Sequence, residues 1–87
     1  MEYTLDCREM TDMEKAHEYI ASVLGFPGHY GRNLDALFDC LGEMPEGSSI
    51  IIENVDLLYS SLGSRATDLI DVFGDAANEG YIDLDIY

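Results

Sequence analysis

The chain is 87 residues long, which suits a single domain (residues 1–87) whose modest core can form without metal or disulfide support. Eighteen acidic side chains against four basic ones give a formal net charge of −14, while 47% of the residues are hydrophobic. The hydrophobic content excludes a disordered acidic tail. The charge argues against direct binding to nucleic acid or to an anionic membrane surface, because both require a positively charged protein surface. It predicts a strongly basic protein partner.

The N-terminal sequence MEYTLDCREM has no positive region followed by an apolar run, so it does not predict a secretory signal. The longest apolar run is the triplet Ile50–Ile52, which is far too short to span a membrane. Cys7 and Cys40 belong to no metal-binding or CxxC spacing, and we expect both to be buried, reduced thiols rather than a disulfide bridge. These features predict a cytoplasmic protein without a cofactor or a metal ion.

The first half of the chain predicts one strand and two helices. Residues 3–7 alternate between apolar and polar side chains, which indicates a strand with one apolar face. Thr11 and Glu14 form a T-x-x-E capping box, after which apolar residues at helical spacing predict a helix over residues 12–24. Asn33 can cap a second helix with its side-chain oxygen. The apolar residues of that second helix fall at i, i+3, i+4 and i+7: Leu34, Leu37, Phe38 and Leu41.

The second half begins with a β-branched run. Ser49–Glu53 shows no alternation, which is typical of a strand buried on both faces of a parallel sheet. Asn54 or Asp56 can then cap a short helical turn that ends near Tyr59.

Residues 60–64 are predicted to be a linker, with Ser64 as the cap of a longer helix that reaches about Asn78. The last segment, Tyr81–Tyr87, alternates strictly and predicts a half-buried strand with an acidic outer face. Helical crossovers between strands imply parallel pairing. We therefore predict an α/β fold with a three-stranded parallel sheet, about three main helices and a short helical turn.

No catalytic constellation is evident. His17, interpreted as a partly exposed helix residue, and His29, interpreted as a loop residue, lack the spacing of metal ligands, and no glycine-rich phosphate loop is present. Asp83 and Asp85 lack the further oxygen ligands of a calcium loop. The tyrosines near the strands, Tyr81 among them, are interpreted as packing on the sheet. We therefore expect no enzymatic activity.

The stretch most suggestive of function is His29–Glu43, HYGRNLDALFDCLGE. Gly31 permits the tight backbone that a loop needs before the helix cap. Asp35 and Asp39 are four residues apart and therefore project side by side, although like charges at this spacing cost an isolated helix a few tenths of a kcal/mol. Two interpretations follow from the residues alone: a solvated acidic face, or a paired-carboxylate surface that binds something cationic.

The run LGFPGHYGRNLDALFDCLGEM resembles the barstar-like family, which comprises intracellular inhibitors of barnase-type ribonucleases. The core of the match is gap-free and consists of Tyr30-Gly31, Asn33–Leu37 and Asp39–Leu41. Weaker similarity covers Ile50–Glu53 and the later helix, up to Gly80. The family fold, a three-stranded parallel sheet with helices against it, is the one that the periodicity predicts.

The resemblance implies how such a protein acts. In the family, the residue matching Asp39 takes the place of the substrate phosphate among the cationic groups of the ribonuclease, and the one matching Asp35 binds nearby. Tyr30 and Asn33 would pack and hydrogen-bond at the same surface, and Asp75 would add a charge from the later helix. The implied partner-binding residues are Asp35, Asp39, Tyr30, Asn33, His29, Gly31, Asp75, Gly42, Glu43 and Met44.

Two residues of the loop depart from the family pattern. His29 stands where the family commonly has an aromatic residue, and Arg32 stands where barstar itself is acidic. The implied function is inhibition of a basic, secreted, guanyl-specific microbial ribonuclease in a 1:1 complex, by a protein that is monomeric when free. The alternative is an acidic module that mimics nucleic acid and binds another cationic protein.

Overall fold

The computed structural model describes all 87 residues and has an α/β fold. All three strands are parallel, in the spatial order β1-β2-β3, and a 3₁₀ turn follows the first of them. The elements are β1 (Glu2–Asp6), α1 (Met13–Leu24), α2 (Leu34–Gly42), β2 (Ser49–Glu53), α3 (Val55–Leu62), α4 (Ser64–Asn78) and β3 (Asp83–Ile86). The predicted fold class is confirmed, with four helices because α3 is longer than the predicted turn.

The helices cover only one face of the sheet. The register pairs Leu5 with Ile52, and these two residues and Ile50 are at most 1% exposed on the face that meets the helices. The opposite face carries exposed acidic residues, and on it Ile51 is only half-buried. The prediction that β2 is buried on both faces is therefore wrong. Right-handed crossovers that advance in one direction across the sheet place all their helices on the same side.

A single apolar core joins the sheet to the helices. Leu37 and Leu41 of α2 are fully buried, and Leu69 and Phe73 of α4 are 1% exposed. The two helices therefore meet through their apolar faces, which leaves their polar faces side by side at the surface. No helix has the length and apolar character needed to cross a membrane.

The start of α1 differs from the predicted capping box. Asp12, rather than Thr11, is the N-cap, and its Oδ1 accepts a hydrogen bond from the Lys15 N–H at 2.8 Å. A carboxylate at this position is also favoured by the helix dipole. Thr11 and Glu14 therefore do not form the reciprocal bonds.

The predicted linker over residues 60–64 is also wrong. α3 continues to Leu62, and only Gly63, at a φ of 60°, separates it from α4, whose first residue is Ser64. Asn54 lies at the N-cap of α3 but makes no capping bond; its Nδ2 donates to Asp6 Oδ1 at 3.0 Å. This bond ties the end of β2 to the end of β1.

The two cysteines are free thiols. Cys7 lies just beyond the end of β1, at the start of the 3₁₀ turn, and burial raises its pKa to about 11. Cys40 is half-buried on α2, which corrects the expectation that it lies in the core. Both thiols are therefore protonated and unreactive near neutral pH.

Candidate functional site

Helix α2 is built to display carboxylates. Asn33 Oδ1 accepts a hydrogen bond from the Ala36 N–H at 2.8 Å, which confirms the predicted cap. Leu37 faces the core without any exposed surface, so that Asp35 and Asp39 project from the outer side of the helix and are exposed. The local pattern of the sequence is thus sufficient to place both aspartates at the surface.

A first cleft, of about 450 Å³, lies between the loop that precedes α2 and the C-terminal part of α2. The loop contributes Phe26, His29 and Tyr30, whereas α2 and the residues after it contribute Asp39 and Glu43. Six of the ten predicted partner-binding residues line this cleft: His29, Tyr30, Gly31, Asp39, Glu43 and Met44. We call it the loop cleft.

A second depression, of about 640 Å³, runs between α2 and α4 and is called the helix groove. Asp35 and Asp39 line it from α2, and Asp75 and Glu79 line it from α4 and its C-cap. Asp39 lines both the groove and the loop cleft, so it stands where the two depressions meet. Glu79 was not predicted, although its spacing of four residues from Asp75 places the two on one helix face and could have indicated it.

A third, smaller cleft at the end of α2, of about 360 Å³, was also missed. Tyr81 lines it together with Phe38, Asp39, Gly42 and Glu43. The prediction that Tyr81 packs on the sheet is wrong, because its ring contacts Phe38 at a centroid distance of 5.7 Å. No local sequence signal connects residue 81 with α2.

The carboxylates of these depressions have no cationic partner within the protein. The chain forms two ion pairs, Arg8 with Asp6 at 2.7 Å and Arg32 with Glu18 at 3.3 Å. Neither pair includes a residue of the helix groove or the loop cleft. In addition, no cluster of three or more potential ligands could hold a metal ion. The negative charge of this surface is therefore available to a partner.

The loop before α2 contains one left-handed residue. It is Arg32, at a φ of 52°, which directly follows Gly31. Space at Gly31 is tight, because a Cβ at this position would lie 3.3 Å from the Ala36 Cβ. Arg32 Nη1 donates to Glu18 Oε1 on α1, which directs the positive charge away from the aspartates of α2.

Tyr30 is fixed from two sides. Its hydroxyl lies 2.6 Å from His17 Nδ1 on α1, and its ring lies 5.1 Å from that of Phe26. Tyr30 is 8% exposed, and burial raises its pKa to about 12, so the phenol stays neutral. His17 is only 4% exposed, which corrects the prediction of a partly exposed residue. Burial lowers the pKa of His17, and the positive charges of Arg65 and Arg32 lower it further.

This environment predicts a pH dependence of stability. The unfolded chain binds a proton at His17 at a higher pH than the folded protein does, so the free energy of unfolding should fall as pH drops below 6.5. The effect is bounded by about 1.4 kcal/mol per pH unit for one proton. Glu14 and Asp68 border the same cavity as His17, Arg32 and Arg65.

The measurement is urea unfolding at pH 7.5 and 5.5 for the wild type and for His17→Gln. The wild type should lose more stability between the two pH values than the variant, which lacks the buried imidazole. Equal losses would show that His17 carries no such proton linkage.

Comparison with known proteins connects this geometry to a family. The model of the family described as "Barstar (barnase inhibitor)" matches residues 1–83. The chain belongs to the barstar family. It is also 37% identical over 76 residues to a protein of Bacillus subtilis (strain 168) named "Putative ribonuclease inhibitor YrdF", with 86% of this chain and 84% of that protein covered.

The family and the name of the relative both point to a ribonuclease inhibitor rather than to an enzyme. Within this barstar-family chain, the structure places nine of the ten predicted partner-binding residues around three adjoining depressions. The tenth, Asn33, lies at the N-terminus of the same helix, where its side chain caps α2. Asn33 therefore has a structural role whatever else it contacts.

Proposed function

We propose that the protein inhibits a basic ribonuclease by inserting α2 and the preceding loop into the active site of that enzyme. The observation that supports this proposal is that exposed carboxylates from α2 and α4 meet around Asp39, with no cation of this chain to neutralise them. A ribonuclease active site binds a polyanion and is therefore lined with cationic groups. Asp39, which lies at the junction of the helix groove and the loop cleft, would take the place of a substrate phosphate.

The remaining residues divide into two groups. Asp35, Asp75 and Glu79 of the helix groove would pair with cationic side chains beside that phosphate site. His29 and Met44 of the loop cleft would supply apolar contact and exclude water, which strengthens the ion pairs that they surround. We propose that the protein forms a 1:1 complex with an enzyme of the barnase type. We place this complex in the cytoplasm, a reducing compartment in which Cys7 and Cys40 stay reduced.

The net charge of −14 makes encounter with such an enzyme sensitive to salt. Long-range attraction between oppositely charged partners raises the association rate, and salt screens it over a Debye length of about 10 Å at 0.1 M. We therefore expect the association rate, followed by stopped-flow fluorescence, to fall at least about tenfold between 20 mM and 500 mM NaCl. The dissociation rate should change much less. Association that is independent of salt would contradict the steering argument.

The test of the function is inhibition of a panel of small microbial ribonucleases, with basic proteins that are not nucleases tested for binding alongside. Stoichiometric inhibition of at least one ribonuclease would support the proposal. Binding of only the other basic proteins would favour the alternative, a nucleic-acid mimic directed at a different cationic protein. Inhibition of no ribonuclease would refute the proposed function.

A further inference from the structure

The backbone of Tyr81 is fixed by the end of α4. Gly80 adopts a φ of 81°, its N–H donates to the Ala77 carbonyl, and the Tyr81 N–H donates to the Ala76 carbonyl, both at 3.0 Å. This pair of bonds is the Schellman ending of a helix. The direction in which the Tyr81 side chain leaves the main chain is therefore set by α4, while its ring reaches α2.

The ring of Tyr81 lies on the last residue of α2. A Cβ on Gly42 would stand 3.2 Å from Tyr81 Cε2, so glycine leaves the space that the ring occupies. The ring also packs against Phe38 at an interplanar angle of 56°. Tyr81 nevertheless stays 38% exposed, and Asp39 and Glu43 line the same cleft. A fixed, half-exposed aromatic ring thus stands beside two carboxylates that have no cation of this chain.

This combination matches the chemistry of a guanidinium group. A guanidinium plane stacks on an aromatic face while its N–H groups donate to carboxylates at its edge. A lysine ammonium is a compact, strongly hydrated charge and cannot stack in this way. We propose that Tyr81 forms, with Phe38, Asp39 and Glu43, a subsite for an arginine side chain of the partner. The inference rests on the proposed function and makes Tyr81 a specificity-determining residue of that interface.

The first experiment compares Tyr81→Leu with Tyr81→Phe in binding to a ribonuclease that the wild type inhibits. Tyr81→Leu keeps an apolar side chain but removes the aromatic face, and it should weaken binding roughly 3- to 30-fold. Tyr81→Phe keeps the face and should bind within about twofold of the wild type. Tyr59→Leu is the matched control, because Tyr59 is another exposed tyrosine, on α3, and lines none of the three depressions. Equal affinities for the leucine and phenylalanine variants at position 81 would overturn the subsite while leaving the inhibitor function intact.

A second experiment decides the inference if no ribonuclease is inhibited. Arginine ethyl ester and lysine ethyl ester are titrated into the free protein, and the ring resonances of Tyr81 are followed by NMR. A saturable shift with the arginine ester that is absent with the lysine ester, and that Asp39→Ala weakens, would support the subsite. The same response to both esters, or no response up to about 100 mM, would overturn it.

Discussion

Asp39→Ala should lower the affinity for the inhibited ribonuclease by roughly 30- to 5,000-fold. This range corresponds to a loss of about 2–5 kcal/mol, which is typical when one partner of a desolvated ion pair is removed. The barnase–barstar complex is itself one of the systems from which this magnitude is known. Asp39 lies where the loop cleft and the helix groove meet, so a partner that fills both would enclose it. In the complex of the Asp39→Ala variant, the partner's cationic groups would be buried without a counter-charge.

The matched control is Asp83→Ala, which removes the same formal charge from the uncovered face of the sheet. It should change affinity by no more than about threefold at physiological salt, because an exposed charge outside the interface acts only through the screened long-range field. Isothermal titration calorimetry on both variants and the wild type measures the difference. Equal losses would mean that bulk charge alone drives binding, and the assignment of Asp39 would fail.

Phe73→Ala should remove about 3–5 kcal/mol of the free energy of unfolding, which is a large part of the roughly 4–13 kcal/mol expected for a domain of this size. Phe73 is 1% exposed on α4 and belongs to the core that α4 shares with α2. Its truncation leaves a cavity in this core. Because Phe73 lines none of the depressions, the molecules that stay folded should still bind the ribonuclease.

Urea unfolding of the wild type, Phe73→Ala and Val72→Ala tests this prediction. Val72 is the adjacent residue of α4, but it is only half-buried and lines the helix groove, so its truncation should cost less than about half as much. Similar losses for the two variants would contradict the view that Phe73 supports the two helices from within the core.

The carboxylates of α2 and those of α4 lie on the same surface for different structural reasons. Asp35 and Asp39 stand side by side because they are one helical turn apart, whereas Asp75 and Glu79 join them because α4 packs against α2. Like charges brought together in this way repel one another, and this repulsion destabilises the free protein. A cationic partner removes it, so the arrangement favours the complex over the free protein.

The features that depend on near neighbours in the chain could be predicted from the sequence alone. The cap at Asn33, the apolar stripe of α2 and the outward direction of Asp35 and Asp39 follow from helical spacing and from one side-chain oxygen. The parallel sheet follows from the alternation of strands and helices. Interactions over three or four residues are visible in a sequence because the geometry between them is that of a regular helix.

The contacts between distant segments became visible in the three-dimensional structure. It placed Glu79 and Tyr81 beside α2, buried His17 against Tyr30, and left one face of the sheet open, contrary to the uniform hydrophobicity of β2. Apart from the spacing of Glu79 from Asp75, none of these features has a local signal, because each depends on which helix faces cross and on how the connections turn over the sheet. Helix α2 and its two aspartates could be predicted from their own residues. The surface that α2 forms with α4 and the loop exists only once the chain has folded.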